Sequence, residues 1–149
     1  MIVDNAATSA TRTLVVWIPM LDGDELPAAK QESARFADRP IRQFWDGEQR
    51  LGKEVARSLG NPHLVAWDIY LFYPPGAEWT DAGLPAPEAM LAQAMGGVVA
   101  TPGLLPAAAD QSTVPAKSRD RIVVVGEQVN LEALLGKAVA EVAKRHARS

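Results

Sequence analysis

The chain contains no cysteine. That absence removes disulfide scaffolding, thiol catalysis and thiolate-bound zinc, and it leaves redox chemistry silent about the compartment. Histidine is scarce: His63 follows Asn61-Pro62, and His146 lies in the basic KRHAR stretch. The two are too far apart in sequence to read as a metal pair. No apolar run approaches the roughly 18 residues that a membrane-spanning helix needs. The opening MIVDNAATSATRT has no basic segment followed by a long apolar one. No signal peptide is therefore expected, and a cytoplasmic location is. Lys and Arg cluster only in KRHAR, where cations in the last turn of a helix complement its dipole. No nucleic-acid or membrane partner is expected from such dispersed charge. The G-x-S-x-G elbow, the G-x-G-x-x-G fingerprint and the Walker spacing are all missing, and no cofactor is expected.

What is present suits one soluble globular domain. The 149 residues are 48% hydrophobic and 22% charged, with a formal net charge of −3. That length can bury a real core. Residues 1–11 read as a loose arm. Residues 97–120, rich in Ala, Pro and Gly, read as a long loop, and loops of that length are usually functional, partner-facing or disordered.

Between these, strands and helices alternate. Leu14–Ile18 is apolar on both faces, as a covered central strand should be. Asp24 is placed to cap a first helix in which Leu26, Ala29, Ser33 and Phe36 recur. Ile41–Trp45 reads as a second strand, and Asp46 with Gln49 forms a capping-box pattern. Leu51, Val55 and Leu59 then line one helical face, and Gly60 stands where a left-handed cap belongs. Val65–Tyr73 reads as a third strand that contains Trp67 and Asp68. Ala77–Trp79 reads as the start of a returning strand, and Glu88–Met95 as a short helix. Ile122–Val125 is a further strand. Leu131, Leu134, Leu135, Ala138, Val139 and Val142 make an amphipathic last helix behind Asn130. The order β-α-β-α-β, short helix, β-α implies an α/β layered domain.

The motif LVVW, followed at once by a proline-containing turn and a helix, resembles the thioredoxin-like superfamily. There a Trp-Cys-x-x-Cys turn fills the same junction, and here it corresponds to Trp17-Ile18-Pro19-Met20. Pro40–Asp46 and AWDIYLFYPPGAEW (Ala66–Trp79) resemble a bacterial branch of that superfamily. The resemblance covers roughly residues 12–80. It implies a three-layer α/β/α sandwich with a central mixed sheet of about four strands. Two departures matter: both redox cysteines are missing, and Trp67-Asp68 replace the usual cis-proline. The expectation is a redox-inactive member that binds through the groove between the Leu14–Ile18 strand and the first helix, with Trp17, Pro19, Met20, Asp22, Trp67 and Asp68 as candidate residues. The ligand would be a protein or small molecule, and a homodimer is one arrangement.

Other constellations have plainer explanations. Asp22-Gly23-Asp24-Glu25 invites an acidic metal reading, but a turn and a helix cap account for it. A strand-embedded Asp68 must find backbone donors or an arginine such as Arg12 or Arg42, or its pKa rises. Trp17, Trp45, Trp67 and Trp79 all read as strand ends, where core packing competes with a ligand platform. Met90 and Met95 read as core or interface filler. A second functional expectation is a carboxylate-based enzyme, with or without Mg²⁺, on a doubly wound fold that uses Asp22, Asp46 and Asp68.

Overall fold

The computed structural model describes residues 12–81, 83–94 and 96–148. The expected arm 1–11 and Met95 lie outside the described residues. The chain is mixed α/β, with a two-stranded parallel sheet and a four-stranded antiparallel one. It divides into two compact units: residues 12–67 with 79–84, and residues 68–78 with 85–148.

The first unit is built from β1 (Thr13–Trp17), α1 (Leu26–Ser33), β2 (Ile41–Trp45) and α2 (Arg50–Ser58). A 3-10 turn, Ala34–Phe36, extends α1. β1 and β2 pair in parallel from Thr13↔Ile41 to Trp17↔Trp45. A helix between two parallel strands supplies the long crossover that such pairing needs. α1 opens at Leu26 rather than beside Asp24, with Pro27 in its first turn, where a missing N–H costs nothing. α2 opens at Arg50, three residues later than the capping-box pattern implies. Its cap, Gln49, is left-handed at φ 58°, while the Asp46 carboxylate accepts the Leu51 N–H at 2.7 Å. Gly60, at φ 80°, ends the helix as expected. α2 buries Gly52, Val55 and Ala56.

The second unit holds β3 (Ile69–Phe72), β4 (Ala89–Ala94), β5 (Gly97–Ala100), β6 (Val123–Glu127) and α3 (Leu131–Ala147). The strands run antiparallel in the order β3-β4-β5-β6. The core joins Ala89, Leu91, Val98, Ala100 and Val125 of the sheet to Leu135 and Ala138 of α3.

Several expectations are corrected here. Within the span expected as a helix over Glu88–Met95, Ala89–Ala94 form the interior strand β4. Ala89, Met90, Leu91 and Ala92 are all buried, so both faces are covered. An apolar run with no polar face carries no helical period, and burial between β3 and β5 overrides the helix propensity of Ala, Leu and Met. Residues 97–120 are not a free loop. They begin with β5 and then bury Leu104, Leu105 and Val114. Gln111 ties this segment to β6: its amide donates to the Val124 carbonyl at 2.9 Å and accepts the Val124 N–H at 2.8 Å. A side-chain amide thus serves an edge strand as a neighbouring peptide would. The third strand is shorter than Val65–Tyr73, and Ala77–Trp79 is not a strand; an isolated bridge between Thr80 and Gly83 follows it.

Candidate functional site

β1 and β2 end together at Trp17 and Trp45, which are register partners, so both indoles leave the carboxyl end of the parallel pair side by side. Beside them lies a cleft of about 110 Å³ lined by Trp17, Ile18 and Trp45 and by Asp24 and Glu25 before α1. Ala28, Ala29 and Glu32 complete it. Glu25, Ala28, Ala29 and Glu32 follow the i, i+3, i+4, i+7 spacing of a single helical face. Two alanines at the middle of that face leave the space that larger side chains would fill.

The walls are fastened by hydrogen bonds. The Trp17 indole N–H donates to the Gln43 side-chain oxygen at 3.1 Å, and the Gln43 amide donates to the Ser33 carbonyl at 3.0 Å. The end of β1 is thereby joined to the end of α1 through β2. The Asp46 N–H donates to the Trp17 carbonyl at 2.9 Å. The Gln49 amide donates to the Pro19 carbonyl and approaches the Met20 sulfur at 3.6 Å.

Asp24 closes the corner. Its carboxylate accepts the Met20 N–H at 2.8 Å and the Leu21 N–H at 2.7 Å, and Gly23 turns the chain at φ 92°. These two bonds, that from Met20 first, hold the Asp24 pKa below its ordinary value of 3.8. A carboxylate with a depressed folded pKa adds stability above its unfolded pKa and loses it as pH falls through the folded one. Asp24→Asn is therefore expected to lower the thermal midpoint at pH 7. The gap from the parent should close as pH is taken below 3.8. Melting curves from pH 7 to pH 3 check it; a gap of constant size would show that the carboxylate charge is not what closes the turn.

Of the candidate residues, Trp17 lines the cleft. Pro19 and Met20 are half-buried in the turn beyond it, and Asp22 is exposed. Trp67 is 45% exposed and stands outside β3. Asp68 belongs to the other compact unit. It is exposed in a left-handed conformation at φ 50° ahead of β3, not embedded in a strand, and it makes no ion pair among the described residues. Aspartate tolerates that conformation better than most side chains do. Its charge still acts on Tyr70, whose pKa is raised mainly by burial and secondarily by Asp68. Only Trp17 and Trp45 of the four tryptophans end strands; Trp79 lies in a loop.

No known family model, curated protein or solved structure matches this chain. The site has to be read from its own residues.

Ile18, Asp24, Glu25, Ala28, Ala29, Glu32 and Trp45 complete the cleft; none was among the groove candidates, although Trp45 was weighed as a ligand platform and Asp24 and Glu25 as part of an acidic stretch. The signal was available: in a βαβ unit two tryptophans that end consecutive parallel strands stand together, and the α1 face is a plain helical stripe. Among the described residues no group of three or more His, Asp or Glu is placed to hold a metal, and no helix is long and apolar enough to cross a membrane. His63 is exposed, and His146 meets the Glu88 carboxylate at 2.9 Å.

Proposed function

We propose that this chain is a binding or interaction module on a redox-inactive thioredoxin-like scaffold, with the β1–α1 corner as its binding surface. One observation carries the reading: an aromatic cleft lies beyond the carboxyl ends of β1 and β2, where α/β proteins usually hold ligands. No cysteine, histidine or serine lines it, so it can hold a group but offers no thiol, imidazole or serine hydroxyl. The parallel β-α-β start, the later antiparallel β3–β4 pair and the closing helix support the superfamily reading, whereas β5, β6 and the division into two sheets depart from the expected single mixed sheet of about four strands. A partner protein, a small molecule or a second copy would occupy the corner. The carboxylate-enzyme alternative lacks comparable support, since Asp46 is engaged with the Leu51 N–H and Asp22 is exposed.

The test is the response of the four indole N–H signals in proton–nitrogen correlation spectra to a pool of short peptides of mixed charge. Trp17 and Trp45 should shift, Trp67 and Trp79 should stay, and insulin reduction should remain at the blank rate. Indoles that respond to no member of the pool would remove the binding reading. The scaffold is tested separately by amide contacts within each strand pair: β1–β2 should be parallel and β3–β4 antiparallel, and the opposite polarity in either pair would remove the scaffold reading.

A further inference from the structure

We infer that the cleft receives a single arginine side chain presented by a partner protein. The inference rests on the binding reading above and specifies its ligand. Size comes first. The cleft measures about 110 Å³. A dry cavity of about 150 Å³ admits benzene, whereas drug-sized ligands and cofactors occupy about 300 Å³ or more. One planar head group therefore fits, and a nucleotide or flavin does not.

Chemistry selects among head groups. Trp17 and Trp45 supply aromatic surface, and tryptophan is the strongest aromatic partner for a cation. The cleft also has carboxylates: Glu25, the residue before α1, and Glu32, near its end, line it with Ala28 and Ala29 between them. Glu32 shares its charge with Arg35 at 3.0 Å in the open. Glu25 makes no ion pair among the described residues. Asp24 adds a second negative charge at the same end of the cleft, kept ionised by two backbone N–H groups. Lys30, the basic residue of α1, is not in the lining. The positive end of the α1 dipole opposes a cation, but Asp24 and Glu25 occupy that end and offset it.

An anion would meet three carboxylates, and a neutral group would desolvate them without pairing. A guanidinium can stack on an indole while its fork of N–H donors reaches a carboxylate. An ammonium is more strongly hydrated and cannot stack as a plane. The apolar flanks needed by a peptide are present in the same connection, where Leu21 is 64% and Leu26 is 40% exposed.

The probe is a capped Gly-Arg-Gly peptide, compared with the same peptide carrying citrulline, which keeps the shape and loses the charge. The arginine peptide should shift the Trp17 and Trp45 indole signals and bind about ten-fold more tightly than the citrulline peptide, the upper end of a partly desolvated cation–aromatic contact. Glu25→Gln should weaken the arginine peptide about three-fold, more at low salt than at high. Ala28→Leu, an exposed helical substitution that fills the cleft, should abolish both effects with the fold intact. Equal binding of the two peptides would overturn the arginine assignment and leave the binding corner standing. Silence of both indoles toward these peptides and toward the mixed-charge pool would overturn the assignment and the binding reading together.

Discussion

Leu91→Ala is expected to cost about 3 kcal/mol of unfolding free energy. Leu91 is fully buried in the middle of β4, between Tyr70 on β3 and Ala100 on β5. It belongs to the cluster that joins the antiparallel sheet to Leu135 and Ala138 of α3. Truncation removes the transfer free energy of its side-chain carbons and leaves a cavity that strands bonded on both edges cannot close. A domain's whole stability is roughly 5–15 kcal/mol, so the loss is a large fraction of it. Urea unfolding should show the midpoint falling with the slope unchanged. Val129→Ala, at a site 86% exposed, should stay within about 0.5 kcal/mol of the parent. A loss below about 1 kcal/mol at Leu91 would mean that β4 is not the centre of this core.

Gly52→Val is expected to destabilise the first unit by about 3 kcal/mol, against the usual benefit of replacing a helical glycine. A Cβ at Gly52 would stand 2.5 Å from a Val65 methyl, 2.9 Å from the Ala66 carbonyl oxygen and 3.3 Å from the end of Ile18. The Val65 methyl can rotate aside. The Ala66 carbonyl cannot do so cheaply, because the Ala66 N–H donates to the Gly52 carbonyl at 2.9 Å and holds the two backbones together. Glycine is thus required here by close approach, not by an unusual backbone angle. Gly136 in α3 is the contrasting case. Nothing lies within 4 Å of a Cβ there, so Gly136→Ala should stabilise by about 1 kcal/mol. Thermal melts of the two variants should move in opposite directions. If both rise, α2 does not pack against residues 65–66 as described.

Local sequence signals succeeded where the chain is amphipathic or carries a strong stop. β2 matches Ile41–Trp45, and β1 differs from its expected span by one residue at each end. α2 lies on the stripe containing Leu51 and Val55, with Gly60 at its end, and α3 follows its long apolar face. β2, α2 and α3 bury one side only, so the period of their side chains is visible in the residues. β4 is buried on both sides and shows no period. The Asp24 and Asp46 carboxylates were legible as helix-start signals, but each bonds a backbone group other than the expected one. A carboxylate near a helix start has several free N–H groups within reach, and the path of the connecting turn selects among them.

Composition alone decided that no thiol chemistry is available, and residue order alone indicated strands alternating with helices around a first βα corner. Those properties depend on atoms present or on contacts a few residues apart. Only the tertiary structure decided that Trp45 and the α1 face complete the cleft with Trp17, that Asp68 stands exposed outside β3, and that Ala89–Ala94 and Gly97–Ala100 form an antiparallel strand pair. Each of these depends on which distant segments meet, and that is set by the simultaneous burial of many side chains rather than by any stretch of sequence read by itself.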